Sequence, residues 1–121
     1  MKKVPRKKVK KYFELIKLLE TSNPKKKEVI LNHLDNNSIH FICELVHNVI
    51  HNNFQLNNKK INKLKTVLKP MKNCCRYLSK KSGKIERKRK LMVQHGKGLG
   101  LILSTAIPIL LSLITQYTKS K

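Results

Sequence analysis

The chain has 121 residues, of which 28 are Lys or Arg and only 6 are Asp or Glu, so its formal net charge is +22. A chain of this length builds one small core rather than a deep enzyme cleft, and few carboxylates remain for acid–base chemistry. We therefore expect a non-enzymatic protein without a cofactor. Its expected partner is a polyanion, because phosphates or anionic lipids relieve the self-repulsion of such a charge.

The N-terminal part predicts a helical bundle. Residues 1–8 form a basic arm without an apolar face, which we expect to be disordered until it meets a polyanion. Residues 9–82 show apolar spacings of three and four residues and no hairpin signal. The first helix is predicted from Val9 to Glu20 and a second from Pro24, capped by Asn23, to Leu34. Their predicted buried residues are Tyr12, Phe13, Leu15, Ile16, Leu18, Leu19, Val29, Ile30, Leu31 and Leu34.

The third helix is predicted to be the centre of the core. Ser38 is its expected N-cap, and its apolar positions follow the i, i+3, i+4, i+7 pattern. These positions are Ile39, Ile42, Leu45, Val46, Val49 and Ile50. A loop anchored by Phe54 and Leu56 follows. A fourth helix over 58–69, ended by Pro70, and a fifth over 71–81 complete the bundle.

The inward residues of the last two bundle helices are predicted from the same spacing. They are Ile61, Leu64, Val67 and Leu68 in the fourth helix, and Met71, Cys74, Cys75 and Leu78 in the fifth. The fold class is therefore all-α: a small bundle of four to five short helices, then a basic helix over 85–93 and a C-terminal hydrophobic helix.

Cysteine and histidine residues offer little metal-binding potential. Cys43, His47 and His51 share one line of the third helix, but structural zinc needs four converging ligands. Cys74 and Cys75 are adjacent and supply no Cys-x-x-Cys pair. We therefore expect no metal site, and we interpret the three cysteines as reduced thiols.

A cationic stretch covers residues 59–90, with 14 Lys or Arg in 32 residues and Glu86 as its single acid. Arginine is rare in it, so contacts that read base edges are few, whereas lysine neutralises phosphates without reading sequence. The stretch predicts non-specific binding to DNA phosphates. The predicted binding residues are Lys59, Lys60, Lys63, Lys65, Lys69, Lys72, Arg76, Lys80, Lys81, Lys84, Arg87, Lys88, Arg89 and Lys90.

The C-terminal segment 98–118 contains 21 residues without a charge, which as a helix of about 1.5 Å rise per residue approaches a bilayer core of about 30 Å. Pro108 and a weakly polar stripe that includes Ser104, Thr105 and Ser112 dilute it. Three interpretations stay open: a spanning helix, a membrane-active interfacial helix, or the helix that closes the bundle. The predicted membrane residues are Leu99, Leu101, Ile102, Leu103, Ile107, Pro108, Ile109, Leu110, Leu111, Leu113 and Ile114.

Residues 83–97 are predicted to join the bundle to this segment. The basic helix would attract anionic headgroups, and Gly96 and Gly98 would form a flexible joint that lets the apolar helix tilt into the membrane.

The order of these parts resembles a known family. A Cys43-Glu-Leu-Val-His-Asn-Val49 segment, a lysine-rich helix ending at Lys69-Pro70, the run Arg87–Gln94 and an apolar tail follow one another. In this the chain is similar to the small basic proteins of Polinton elements and adintoviruses, which resemble adenovirus core protein X. The resemblance implies a virion component that condenses packaged DNA and helps to breach a membrane, located in the virion and the host nucleus, with capsid proteins or further copies of itself as partners.

Two alternatives remain. A tail-anchored protein in an intracellular membrane would keep its basic N-terminal part in the cytoplasm, because 26 of the 28 basic residues precede the apolar segment. A helix-turn-helix regulator would need Arg, Asn or Gln facing base edges, and the fourth helix offers mostly lysine.

Overall fold

The computed structural model describes residues 6–51 and 56–119, with side chains at Arg6, Val67 and 113–119 outside that description. This part of the chain contains seven α-helices and no strand, which confirms the all-α prediction. The helices are α1 (Arg6–Thr21), α2 (Pro24–His33), α3 (Asn36–Ile50), α4 (Asn58–Leu68), α5 (Lys72–Ser79), α6 (Ile85–Gln94) and α7 (Gly96–Lys119). A 3₁₀ turn, Lys69–Met71, joins α4 to α5 around Pro70.

The helix ends follow from local capping chemistry. Asn23 accepts a hydrogen bond from the backbone N–H of Lys26 at 2.8 Å, with Pro24 in the first turn, as predicted. The cap predicted for α3 was wrong: Asp35 is the N-cap, and its carboxylate accepts from the N–H of Ser38 at 2.8 Å. Asp35 lies three residues before Ser38, which is the usual separation between a cap and the amide it satisfies.

The prediction of a disordered arm over residues 1–8 was wrong for residues 6–8. Because α1 begins at Arg6, residues 6–8 are helical rather than part of a disordered arm. Residues 1–5 and the predicted loop anchor Phe54 lie outside the described residues.

Helix α3 lies at the centre of the core and packs against α1, α5, α6 and α7. Its predicted apolar residues are buried except Ile50, which is half-buried, and Phe41 stacks on Tyr12 of α1 with ring centroids 4.7 Å apart. Two predicted core residues lie at the surface instead. Leu18 is 43% exposed and Val29 is 56% exposed, because α1 and α2 each turn only one face to the bundle.

Helix α7 packs mainly along α1 and also contacts α3. The buried apolar side chains in the described part of α7 are Leu99, Ile102, Leu103, Ala106 and Leu110. The weakly polar side of the helix, with Ser104, Pro108 and Ser112, is exposed. Much of the apolar surface that suggested a membrane segment is therefore part of the bundle core.

Among the described residues, no single helix is long and apolar enough to cross a membrane. The bent pair formed by Ile85–Gln94 and Gly96–Ser112 does reach the required length and composition.

The junction between α6 and α7 is a sharp bend of 95°. His95 is the C-cap of α6, and Gly96 already belongs to α7. A Cβ on Gly98 would overlap the Sδ of Met71 and lie 2.6 Å from its Cε. Gly98 is therefore a point of close approach to the turn after α4, and Gly96 and Gly98 both lie inside α7. The predicted flexibility of this joint stays a prediction.

Candidate nucleic-acid interface

The cationic surface is built on α4, α5 and α6 and on the turns between them. Helix α4 starts at an Asn57 cap, whose side chain accepts from the N–H of Lys60 at 2.9 Å. Leu64 and Leu68 of α4 are buried against the bundle. The lysines of α4, which are Lys59, Lys60, Lys63 and Lys65, are all exposed on the solvent side.

Most of the predicted phosphate-binding residues are at the surface. Twelve of the fourteen side chains are exposed: Lys59, Lys60, Lys63, Lys65, Lys69, Lys72, Arg76, Lys80, Lys81, Lys84, Arg87 and Lys90. None of the twelve forms an ion pair within the part of the chain that the structure describes, where the one ion pair joins Lys8 Nζ to Glu44 Oε1 at 3.1 Å. The surface therefore carries positive charge that no carboxylate of the described residues neutralises through an ion pair.

Lys88 and Arg89 are the exceptions to the predicted set. Lys88 is buried, and its ammonium donates a hydrogen bond to the carbonyl of Lys80, the C-cap of α5. Arg89 is half-buried, and its Nη1 donates to the carbonyl of Leu31 near the C-terminus of α2 at 2.6 Å. Each cation meets the negative end of a helix dipole, so both hold α6 in place instead of facing a ligand.

Tyr77 organises the turn between α5 and α6, although its sequence position gave no sign of this. Its hydroxyl accepts a hydrogen bond from the N–H of Lys84 at 3.1 Å. Lys80 Nζ and Arg87 Cζ lie 5.9 Å and 5.7 Å from the centre of its ring. Both cations lie within the distance of about 6 Å at which an aromatic ring attracts a cation over its face.

A groove of about 760 Å³ extends the cationic surface to α1. Lys8 and Lys11 of α1 line it together with Lys80 and Lys81 at the end of α5. Sequence reasoning missed the two α1 lysines as part of the site. Because about seventy residues separate them from Lys80 and Lys81, tertiary packing alone brings them together.

Cys43, His47 and His51 do lie along α3, and the rings of the two histidines are 4.2 Å apart. Burial, and then the charge of His51, lower the pKa of His47. Burial raises the pKa of Cys43 and of Cys74 to about 11, so these thiols stay protonated and are poor nucleophiles at neutral pH. Among the described residues, no three His, Cys, Asp or Glu side chains converge as metal ligands.

The predicted membrane residues divide by environment. Leu99, Ile102, Leu103 and Leu110 are buried, Leu101, Ile107 and Ile109 are half-buried, and Pro108 and Leu111 are exposed. Leu113 and Ile114 lie among the side chains outside the described part.

Comparison with known proteins adds no relative. No protein-family model matches the chain, and neither a curated protein nor a solved structure does so. The resemblance to Polinton and adintovirus proteins therefore remains a prediction.

Proposed function

We propose that the protein is a non-enzymatic nucleic-acid-binding protein that neutralises DNA phosphates without reading sequence. The observation that supports this best is the set of twelve exposed cations on α4 to α6 that have no ion-pair partner among the described residues. Counterions condensed on DNA are released when such cations replace them, which drives binding. A role in condensing DNA inside a virion is the biological setting that the resemblance implies.

The groove beside α5 supports a path for the phosphate chain. Cations of α5 and α6 flank Tyr77, and Lys11 continues the positive surface onto α1. Lys8 also lines the groove, but it is paired with Glu44 there. A backbone that follows these side chains meets ammonium groups at several successive positions. Lysine point charges suit any duplex sequence, since they carry no fixed donor pattern.

The test is a gel-shift titration of duplexes with unrelated sequences across a salt series. With several phosphate contacts, affinity should fall about 10³-fold or more between 50 and 200 mM salt and should be similar for all duplexes. A flat salt response would exclude the proposal. Strong preference for one duplex would instead favour the helix-turn-helix regulator.

A matched pair of variants locates the interface. Lys80→Gln/Lys81→Gln/Lys84→Gln should lower the salt slope by about one per lysine that contacts a phosphate. Lys17→Gln/Lys25→Gln/Lys26→Gln removes the same charge from exposed positions on α1 and α2 and should leave most of the slope intact. Equal losses in both variants would mean that net charge, rather than this surface, drives binding.

Membrane association remains a second candidate for the chain. The bent pair of α6 and the first part of α7 supports it, while the burial of Leu99, Ile102 and Leu103 against the bundle opposes it unless α7 leaves α1. Alkaline carbonate extraction separates a spanning helix, which stays with the membrane pellet, from an electrostatically bound protein, which is released.

A further inference from the structure

A cleft of about 620 Å³ lies between the C-terminal half of α3 and helices α4 and α5. Its floor is apolar and is formed by Val49, Ile50, Ile61, Leu64, Leu68 and Cys75. No carboxylate lines it among the described residues. Ile50 and Ile61 are half-buried, whereas Val49, Leu64, Leu68 and Cys75 expose less than a tenth of their surface. A cleft lined in this way suits an apolar ligand group.

The rim of the cleft is cationic on one side. Lys65, Lys69, Lys72, Arg76 and Lys80 follow one another at separations of three or four residues from α4 into α5, and all five are exposed. None of them has an ion-pair partner among the described residues. The cleft therefore presents an apolar floor beside a row of unneutralised charges.

We propose that this cleft binds a single-chain anionic amphiphile, of which a long-chain fatty acid is the simplest example. The acyl chain lies over Leu64 and Leu68, and the anionic head pairs with the cations at Lys65, Lys69 and Lys72. The chain removes water from the floor, and the head relieves the repulsion along the rim. The volume lies within the range of about 300–1,000 Å³ of small-molecule sites.

Other occupants fit these features less well. A nucleic-acid backbone would pair with the rim but leave the apolar floor in contact with water. A partner α-helix is about 10–12 Å across with its side chains, so the cleft holds little more than a turn or two of it. The amphiphile proposal does not depend on DNA binding. It requires the apolar floor of the cleft, which a phosphate backbone would not contact.

The first experiment titrates the full chain with ligands that share one tail or one head, using calorimetry below the micelle concentration. Dodecanoate should bind with one molecule per chain. Dodecyl maltoside and dodecyltrimethylammonium have the same tail but no negative head, and their affinity should be at least about tenfold lower. Acetate, which has the head without the tail, should not bind. Equal binding of all three dodecyl compounds, or equal binding of acetate and dodecanoate, would overturn the proposal.

Variants of the rim provide the matched control. Lys65→Gln/Lys69→Gln/Lys72→Gln should weaken dodecanoate binding about tenfold, whereas Lys17→Gln/Lys25→Gln/Lys26→Gln should leave it unchanged, although both remove three charges. A similar loss in both variants would contradict a local site.

A floor variant and a mapping experiment keep the test independent of folding. Ile61→Asn places an amide at the half-buried edge of the floor and should weaken dodecanoate while circular dichroism shows the helices intact. If that variant unfolds, methyl NMR of the unaltered chain decides: dodecanoate should shift the resonances of Ile61, Leu64 and Leu68 selectively. Shifts spread along α7, or concentration-dependent dimer formation without such selectivity, would overturn the proposal.

Discussion

Among the described residues, three cations of this very basic chain form hydrogen bonds inside the fold. Lys88 donates to the carbonyl of Lys80 and Arg89 donates to that of Leu31. Lys27, which is 8% exposed, places its Nζ 3.3 Å from the carbonyl of Gly96 and so links α2 to the start of α7. Carbonyls rather than carboxylates are the partners of these cations, which is how a chain with six acids orders some of its charge.

The internal role of Lys88 predicts an unequal response along α6. Lys88→Ala should lower the free energy of unfolding by about 1–3 kcal/mol, because the partly buried Lys80 carbonyl loses its donor. Lys90→Ala, two residues away and exposed, should change it by less than about 0.5 kcal/mol. Urea denaturation of both variants measures the difference, and equal effects would contradict a structural role for Lys88.

The Asp35 cap predicts acid sensitivity. Hydrogen bonds from the Ser38 side chain and then from its N–H lower the pKa of the Asp35 carboxyl below its ordinary value of 3.8. A carboxyl with a lowered folded-state pKa contributes stability above its unfolded-state pKa and loses it as pH falls through the folded-state pKa. Asp35→Asn retains a capping oxygen that does not titrate. Its denaturation midpoint should therefore fall less than that of the unaltered chain when pH decreases from neutral to below 3.8.

At the scale of elements, the approach of α7 to the turn after α4 depends on one missing side chain. Gly98→Ala forces the buried Met71 side chain to move, and such overpacking costs about 1–3 kcal/mol against a helix-propensity gain of at most about 1 kcal/mol. We expect a net loss of stability in thermal denaturation. Gly96→Ala is the control: its Cβ would meet Lys27 Cδ at an ordinary 3.6 Å, so this variant should gain up to about 1 kcal/mol. Stabilisation of both variants would show that the Met71 side chain can move aside without a cost in stability.

The helices themselves could be predicted because their apolar spacing is regular. In α3 the predicted positions follow the helical spacing and are buried except Ile50. Phe41, Cys43 and Asn48, which that spacing did not single out, are buried as well, because α3 is packed on several sides. In α2 the run Val29–Leu31 is continuous, so its spacing does not define one face, and the packing of α6 and α7 decides that Leu31 is buried and Val29 exposed. The sequence carries no local information about that choice.

The candidate site was only partly predictable for a similar reason. Lys88 lies three residues after Ile85 and four before Met92, and this spacing could have indicated its inward position. Because Lys88 stands within the run Arg87–Lys90, it was grouped with the exposed cations instead. The assembly of Lys8 and Lys11 with Lys80 and Lys81, and the apolar cleft above α4, arise only when distant helices pack.

At the scale of the whole molecule, the charge imbalance predicts that salt stabilises the fold. With a net charge of +22 and one ion pair among the described residues, screening removes more repulsion than attraction. The screening length falls from about 10 Å at 0.1 M salt to about 3 Å at 1 M. The thermal midpoint should therefore rise with NaCl concentration in scanning calorimetry. A midpoint that stays constant or falls would mean that repulsion among the cations does not destabilise the folded state.

The pairing of α1 with α7 also sets an order of events during synthesis. A ribosome releases α1 first and α7 last among the described helices. The apolar face of α1, with Val9, Ile16 and Leu19, therefore lacks its main packing partner until most of the chain has been made. Contacts between segments so far apart form late, after long loops have closed. Until α7 is made, the part of the apolar face of α1 that α7 covers stays exposed. Chaperones bind to exposed apolar surface of this kind, and incomplete chains aggregate through it.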